Sequence, residues 1–236
     1  MTKEEFILYC NKLNIKISEE LYSKFFTYFE MLVEWNNKFN MTTILEEKDV
    51  FLLHFYDSLC LFKVVDLNRE VNLCDFGTGA GFPGLPIAIV FPKVSVTLVE
   101  SNGKKCMFLN AVKDSLKLEN VTVVNDRIEN FSTKEREKFD IVTCRAVTSI
   151  PMILEMATSL VKVNGVLVPL KSNCEEELVK YSYLENELGI KLIQKEVYSL
   201  PINDAYRVIP VYKKKKTTDK KYPRSYNSLL KMYKNK

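Results

Sequence analysis

Histidine, tryptophan and paired cysteines are scarce in this chain of 236 residues. It has a single histidine, His54, and a single tryptophan, Trp35. Its six cysteines are scattered, without a Cys-x-x-Cys pair, which favours reduced thiols in a cytoplasmic protein over a disulfide framework. We therefore expect no metal site built from histidine or cysteine.

Long apolar runs are also missing. No stretch is long enough to span a bilayer, and the amino terminus lacks the basic and then apolar pattern of a secretory leader. We expect a cytoplasmic protein that works as a monomer and does not associate with membranes. Its length suits one domain with a sizeable core, with or without a small appendage.

Glycine is rare as well, but its distribution is informative. Four of the seven glycines lie between Gly77 and Gly84, inside the stretch VNLCDFGTGAGFPGLPIAIV that begins at Val71. This stretch predicts a buried strand, a glycine turn and an apolar helix. Glycines in such a turn permit positive φ values and a close approach of the backbone to a ligand at the positive end of the helix. A strand, glycine turn and helix usually open a nucleotide-binding α/β unit.

Two acidic residues indicate which nucleotide binds. Asp75 ends the first strand, and Glu100 ends the second, where a carboxylate can accept hydrogen bonds from the ribose hydroxyls of an adenosine ligand. The spacing Gly79-x-Gly81-x-x-Gly84 also satisfies the dinucleotide fingerprint, so a nicotinamide-dependent oxidoreductase is one alternative. The Asp-x-Gly-x-Gly-x-Gly form is more similar to the class I S-adenosylmethionine methyltransferases.

The remaining pattern predicts three parts. Residues 1–66 contain no glycine or proline and predict helices that end near Leu13, run from Ser18 to about Lys38, and run from Asp49 to Val65. Residues 67–212 alternate strands and helices, which predicts a mostly parallel, doubly wound sheet. The expected strands are 71–75, 94–100, 121–125, 139–144, 163–170, 190–199 and 205–212, of which the last two form an antiparallel hairpin. The expected helices of this part are 83–91, 103–117, 150–160 and 174–188, with an irregular segment over 126–138.

Residues 213–236 form the third part, a basic tail. They carry ten lysines and arginines and one acid, for a net charge of +9, whereas the whole chain is +4 and residues 1–212 are therefore −5. A cationic tail suggests a polyanionic partner such as nucleic acid, although a solubilising end is an alternative. We expect removal of the tail to weaken RNA binding and to spare cofactor binding. The candidate phosphate contacts are Lys213, Lys214, Lys215, Lys216 and Arg224.

Three groups of motifs resemble one family. They are Trp35-Asn36-Asn37-Lys38-Phe39-Asn40-Met41-Thr42 with His54-x-x-Asp57-Ser58-Leu59; Asp75-Phe-Gly-Thr-Gly-Ala-Gly-Phe-Pro-Gly84; and Glu100-Ser101, Lys104-Lys105-x-x-Phe108-Leu109, Arg145-Ala146-Val147 and Leu170-Lys171. With Tyr222-Pro223-Arg224 they cover essentially the whole chain. On these residues the chain resembles the bacterial 16S rRNA guanine N-7 methyltransferases, also called the RsmG or glucose-inhibited division protein B family. It departs from the family at Ser172, where glycine is frequent, and beyond Arg224, where the proline-rich tail of relatives is replaced.

The resemblance implies a Rossmann-like class I S-adenosylmethionine-dependent methyltransferase fold, with a seven-stranded, mostly parallel sheet, an antiparallel final hairpin and an N-terminal helical extension. It implies S-adenosylmethionine as the cofactor, and 16S ribosomal RNA or the small ribosomal subunit as the partner. RNA contacts at the strand ends would include His54 and Lys171, although a local helix hydrogen bond explains His54 and Asp57 equally well. By their places in the motifs, and in Asp126-Arg127-Ile128-Glu129 after the third strand, the cofactor-binding residues are Gly77, Phe82, Glu100, Ile128, Glu129 and Arg145. Ile128 as a core residue and Glu129 as a surface acid at a helix start are the alternatives.

The chemistry implied by this family needs few residues. Guanine N-7 carries a lone pair and no proton, so direct in-line attack on the sulfonium methyl group needs no general base and depends on alignment. The motifs single out no catalytic residue. The candidates are Arg145 and Asp75, whose carboxylate could stabilise the cationic methylated purine. Cys144 lacks the neighbours of a cytosine C-5 nucleophile, so we give it a packing role, and a non-catalytic RNA-binding or assembly factor with this fold is a further alternative.

Overall fold

The computed structural model describes residues 1–233, and its centre is a seven-stranded sheet in the order β3-β2-β1-β4-β5-β7-β6. The first five strands pair in parallel, and β7 runs antiparallel between β5 and β6. This confirms the expected mostly parallel sheet with an antiparallel final hairpin. The strands are β1 (Val71–Phe76), β2 (Val94–Glu100), β3 (Val121–Asn125), β4 (Phe139–Arg145), β5 (Val161–Leu170), β6 (Ile190–Ser199) and β7 (Tyr206–Lys214).

Helices cover both faces of the sheet and precede it in the chain. Their bounds are α1 (Lys3–Lys12), α2 (Glu19–Asn36), α3 (Glu47–Asp49), α4 (Asp57–Leu59), α5 (Gly84–Val90), α6 (Gly103–Ser115), α7 (Ile128–Lys134), α8 (Ile150–Ala157), α9 (Glu175–Lys180), α10 (Leu184–Leu188) and α11 (Tyr226–Tyr233). A π-helix (Val50–Tyr56) joins α3 to α4, and 3-10 turns follow at Cys60–Lys63 and Thr158–Leu160. No helix among residues 1–233 is both long and apolar enough to cross a membrane.

β1 is the central strand, and its side chains divide between two cores. Leu73 packs into the core on one face, whereas Cys74 and Phe76 pack into the core on the other. Successive side chains of a strand point to opposite faces, so an apolar run without alternation is what a strand covered on both faces requires. The strand order reverses between β1 and β4, and ligands of open α/β sheets bind at the carboxyl ends of the strands at such a point.

The N-terminal helices pack directly against the glycine turn that follows β1. The ring of Tyr28, on α2, lies 5.6 Å from the ring of Phe82, and its hydroxyl donates a hydrogen bond to the carbonyl of Ala80. Phe55 in the π-helix completes the cluster, 5.0 Å from Phe25 and 6.0 Å from Phe82 between ring centres. The glycine turn is therefore held from one side by the first third of the chain.

Some elements differ from the expectation. The helix expected over 49–65 contains the π-helix, the one expected over 174–188 is divided into α9 and α10, and the segment 126–138 contains α7. The tail differs most, because β7 continues to Lys214 and α11 buries Leu229 and Tyr233 against the core. Residues 234–236 of the expected tail lie outside the described residues. The tail is a folded part of the molecule up to Tyr233.

Candidate active site

The glycine turn takes a conformation that only glycine accepts easily. Gly77 has a φ of +61°, and its N–H donates to the carbonyl of Val99 at 2.8 Å. A Cβ atom at Gly77 would lie 2.7 Å from Cγ2 of Val147, closer than packed carbon atoms approach. The absent side chain keeps the edge of β1 open beside Val147.

A cleft of about 190 Å³ opens at this point, along the carboxyl ends of β1, β2 and β3. We call it the glycine-loop cleft. It combines an apolar wall with acidic groups at the start of α7, a combination that suits a nucleoside, which has a flat apolar base and a polar ribose. Its lining residues are Phe76, Gly77, Val99, Ser101, Asp126, Arg127, Ile128, Glu129, Val147, Thr148, Met156 and Tyr226.

The two acids that end the first strands hold the backbone of the turn. Oδ2 of Asp75 accepts from the hydroxyl of Thr78 at 2.6 Å and from the N–H of Gly84 at 2.8 Å. The Asp75 carboxyl is fully buried, and burial raises its pKa to about 7. It has no exposed surface, so Asp75 could stabilise a cationic methylated base only through its charge and not by direct contact.

Glu100 lies at the tip of β2, as expected, and is nearly buried. Its Oε2 accepts from the N–H of Gly79 at 3.0 Å, and its Oε1 accepts from the N–H of Asn102 at 2.8 Å. Each oxygen has further acceptor capacity, since a carboxylate can accept about four hydrogen bonds. Glu100 ties the second strand to the glycine turn and lies between Val99 and Ser101, which line the cleft.

A second cavity, of about 290 Å³, lies beside the carboxyl end of β4, and we call it the polar pocket. Ala146 separates the two cavities: it has a φ of +55°, and it lines the polar pocket while Val147 lines the glycine-loop cleft. A non-glycine residue in this region of φ is strained, and such strain concentrates at functional sites. The pocket is lined by Ile44, Leu53, His54, Asp57, Arg145, Ala146, Leu170, Lys171, Ser172 and Arg207.

Arg145 is the centre of the polar pocket. Its Nη1 donates to the carbonyl of Leu53 at 2.7 Å and lies 3.4 Å from Asp57, and its Nη2 lies 2.8 Å from Nδ1 of His54. All three partners come from the π-helix and the residue after it. π-helical turns are rare and concentrate at functional sites. Here the π-helix and the residue after it direct one carbonyl and two polar side chains toward the same guanidinium group.

The contacts of His54 fix its protonation state. A guanidinium group only donates, so Nδ1 must accept from Arg145 and the imidazole proton lies on Nε2, 3.0 Å from the hydroxyl of Thr42. Burial, and then the charge of Arg145, lower the pKa of His54 to about 3. His54 is therefore neutral, has both nitrogens engaged, and acts in the structure as an acceptor that orients Arg145.

The ring of Phe82 packs beneath both His54 and Arg145. Its ring lies 4.4 Å from the imidazole of His54 with an angle of 18° between the planes, and the Arg145 guanidinium lies 5.1 Å above it. The expected cofactor-binding residues thus fall into two sets. Gly77, Ile128 and Glu129 line the glycine-loop cleft, whereas Arg145 lines the polar pocket and Phe82 packs beneath His54 and Arg145 without lining either cavity.

Asp57 is the counter-charge of the polar pocket. Both of its oxygens accept from Nε of Arg207 at 3.1 Å, and Oδ1 also accepts from the hydroxyl of Tyr198 at 3.3 Å. Lys171 adds a third cation, and its ammonium group donates to the carbonyl of Thr148 at 2.7 Å. With Arg145, three cations face one carboxylate, so the lining has a net positive charge that favours an anionic ligand.

The lysines at the start of the tail do not lie beside the polar pocket, where they would have to be to contact a nucleic acid bound there. β7 runs away from the polar pocket, because Arg207 lies at this pocket and Lys213 pairs with Val166, farther back along β5. Lys214 is fully buried, donates to the carbonyl of Thr158 at 3.0 Å and pairs with Glu137 at 3.2 Å. Its place corrects the expectation for Lys214, since no RNA can reach it.

Of the other expected RNA contacts in the tail, two are exposed and one is held in an ion pair. Lys215 and Lys216 are exposed but follow the far end of β7, next to Gly189. Arg224 is also corrected, because its guanidinium forms an ion pair with the buried carboxylate of Glu155. Tyr226, inside the tail, lines the glycine-loop cleft, so removal of residues 213–236 would also remove part of the lining of this cleft.

Sequence reasoning missed several residues that line the two cavities or hydrogen-bond to their lining residues. Arg207 and Tyr198 belong to the final hairpin and meet Asp57 across 150 and 141 positions of sequence. Thr42 and Tyr226 were similarly unassigned. An arginine within an otherwise apolar strand was the one signal, because a charged side chain half-buried in a sheet usually has a partner.

Comparison with known proteins gives the family. The model of a family described as rRNA small subunit methyltransferase G matches residues 21–204. The chain belongs to this family. A Ribosomal RNA small subunit methyltransferase G from Bacillus subtilis is 44% identical over 95% of each chain, and one from Bacillus velezensis is 43% identical over the same shares.

Solved structures agree with the fold. A SAM dependent methyltransferase from Aquifex aeolicus superposes with a TM-score of 0.53 at 18% identity, over 71% of this chain and 94% of that one. A putative methyltransferase from Haloferax volcanii, in complex with the Trm112 activator, superposes with a TM-score of 0.59 at 10% identity, over 78% and 98%. The family assignment and these superpositions confirm the expected methyltransferase fold.

Proposed function

We propose that this protein is an S-adenosylmethionine-dependent methyltransferase that modifies N-7 of a guanine in the 16S RNA of the small ribosomal subunit. The family supports the reaction class and the RNA, because relatives matched over 95% of each chain carry the name Ribosomal RNA small subunit methyltransferase G. The resemblance of the motifs supports the guanine N-7 position.

The single observation that carries the proposal is the glycine-loop cleft with the polar pocket beside it. The residues of the cleft fit S-adenosylmethionine: Gly77 leaves room for close approach, Ile128 and Met156 give an apolar wall, and Glu129 supplies an acceptor for a ribose hydroxyl, while Glu100 lies behind the lining between Val99 and Ser101. When bound, this cofactor supplies a methyl group on a sulfonium centre. The turn from Arg145 to Thr148 borders both cavities, so a base held in the polar pocket lies next to the cleft.

The polar pocket is suited to a nucleotide of RNA. Arg207 and Lys171 present cations that can bind phosphate, and such contacts position RNA without reading its sequence. Arg145 and Lys171 are donors that match the O6 acceptor of guanine. Asp57 and His54 fix the guanidinium of Arg145 in place, so the pocket is ordered before RNA arrives.

The protonation state of the pocket supports N-7 as the target. An exocyclic amine must lose a proton when it is methylated, whereas guanine N-7 has none to lose. The imidazole of His54 has both nitrogens in hydrogen bonds and a pKa lowered to about 3, so it is a poor general base. Orientation by Arg145 and Lys171, rather than proton transfer, is then the contribution of the side chains.

The test is the identity of the methylated nucleoside. The purified protein is incubated with methyl-labelled S-adenosylmethionine and small subunits that lack their own N-7 mark, and the RNA is digested to nucleosides. We expect labelled 7-methylguanosine, and much less label on subunits that already carry the mark. A different labelled nucleoside would refute the N-7 assignment. Cofactor binding without any label would favour a non-catalytic RNA-binding or assembly factor, and binding of a nicotinamide dinucleotide instead would favour an oxidoreductase.

The proposed function also bears on where the protein acts in the cell and on its oligomeric state. A protein that modifies ribosomal RNA acts in the bacterial cytoplasm, and we propose that it does so as a monomer. Size-exclusion chromatography with light scattering would show one chain of 27.4 kDa, and a mass of two chains would contradict this.

A further inference from the structure

The C-terminal segment Thr218–Tyr233, which we call the strap, is fastened to the sheet domain at several points. Nη1 of Arg136 donates to the carbonyl of Tyr222 at 2.7 Å, and the guanidinium also contacts the carbonyl of Thr218. The hydroxyl of Tyr222 donates to Glu187 at 2.9 Å. These contacts fix the first part of the strap against the loop that follows α7 and against α10.

A buried ion pair fixes the next part. Glu155, on α8, is fully buried, and its Oε2 accepts from Nε of Arg224 at 2.7 Å. Its Oε1 accepts from Nη2 of Arg224 and from the hydroxyl of Tyr233. A carboxylate in such a place is costly unless it is fully paired, so the two-point contact between Arg224 and Glu155 defines the position of the strap closely. We call this pair the latch.

The latch sets the place of Tyr226, which begins α11 only two residues later. Tyr226 lines the glycine-loop cleft together with Ile128, Glu129 and Met156. Tyr226 is 41% exposed, so part of its surface is free to contact a ligand in the cleft. The family model ends at residue 204, so the strap lies outside the matched region.

We propose that Tyr226 is a cofactor-contacting residue, whose ring forms a wall for the nucleoside end of S-adenosylmethionine, and that Arg224 is a positioning residue acting through it. This rests on the proposed function, because it needs the cleft to be the cofactor site. The strap then closes the cleft on the side of α7, and the basic residue Arg224 serves cofactor binding rather than RNA binding.

The test compares cofactor affinity of full-length variants by isothermal titration calorimetry with S-adenosylmethionine and S-adenosylhomocysteine. Stacking of an aromatic ring on a base is worth a factor of roughly 5 to 100 in affinity, so we expect Tyr226→Ala to weaken binding by about that factor and Tyr226→Phe to bind nearly as wild type. Met232→Ala is the matched control, since Met232 lies on the same helix, is 37% exposed and does not line the cleft. Equal affinity of Tyr226→Ala and wild type would overturn the proposal.

The role of Arg224 is tested by a double-mutant cycle. Arg224→Lys keeps the charge but loses the planar two-point contact with Glu155. If Arg224 acts through Tyr226, Arg224→Lys weakens cofactor binding in the wild type and adds nothing in the Tyr226→Ala background. Equal effects in both backgrounds, or none in either, would overturn the positioning role. A wild-type protein that binds no cofactor would refute the proposed function itself, a result distinct from both.

Discussion

Asp57 is the residue whose replacement has the largest expected consequence for stability. Its carboxylate is only 4% exposed and lies between the guanidinium groups of Arg145 and Arg207, which are 13% and 17% exposed. Asp57→Asn keeps the volume of the side chain but leaves two largely buried cations facing each other without a counter-charge. Removing one partner of a buried ion pair costs about 3–5 kcal/mol. Because both arginines keep some contact with water, we expect about 3 kcal/mol.

The assay is urea unfolding followed by circular dichroism, with the variant and wild type at the same pH and salt. For a chain of this size, about 3 kcal/mol also lowers Tm by roughly 6–12 °C. Asp66→Asn is the matched control, because Asp66 is exposed and 3.9 Å from Arg69, and we expect a change within about 0.5 kcal/mol. If Asp57→Asn were as stable as the control, the reasoning that Asp57 carries the charge balance of the polar pocket would be refuted.

Three further predictions concern the two cavities. Gly77→Ala should abolish measurable S-adenosylmethionine binding in calorimetry, since φ is +61° and the new Cβ would lie 2.7 Å from Val147, whereas Gly103→Ala, where the nearest atom would be 3.8 Å away, should bind normally. His54→Asn should remove one component of the pH dependence of stability. The pKa of His54 is about 3 in the folded protein and ordinarily 6.5, so between these pH values only the unfolded chain binds the proton, and the free energy of unfolding of the wild type falls by up to about 1.4 kcal/mol for each unit of decreasing pH. Urea unfolding at several pH values should show that the variant lacks this component. Arg207→Gln should raise the KM for small subunits about tenfold, and the slope of log KM against log salt concentration should decrease by the equivalent of about one phosphate contact. An unchanged KM over a salt series would contradict this prediction.

The fold was predictable because its signals are local. The glycine turn, the strand ends at Asp75 and Glu100 and the alternation of strands and helices each lie within a short stretch, and the parallel sheet follows from them. The glycine-loop cleft was predictable for the same reason, since Gly77 and the start of α7 meet at neighbouring strand ends.

The polar pocket and the tail were less predictable because they depend on contacts distant in sequence. Asp57 meets Arg207 only because β7 is inserted between β5 and β6, and His54 meets Arg145 across 91 positions. The charge of residues 213–236 suggested a free basic tail, but the carboxylates of Glu137 and Glu155, which bind Lys214 and Arg224, could not be located from composition. Counting charges predicts the sign of the net charge of the tail but does not identify the residues with which its lysines and arginine pair.

The central claim is that the glycine-loop cleft binds the cofactor and the polar pocket binds the RNA. The most direct test measures, for the same two variants, the Kd for S-adenosylmethionine and the KM for small subunits, at a temperature where both variants are folded. We predict that Gly77→Ala loses cofactor binding, and that Arg207→Gln keeps the wild-type Kd for the cofactor while its KM for subunits rises. If Arg207→Gln lost cofactor affinity without a change in KM, or if Gly77→Ala bound the cofactor as wild type, the division of the site into these two parts would be contradicted.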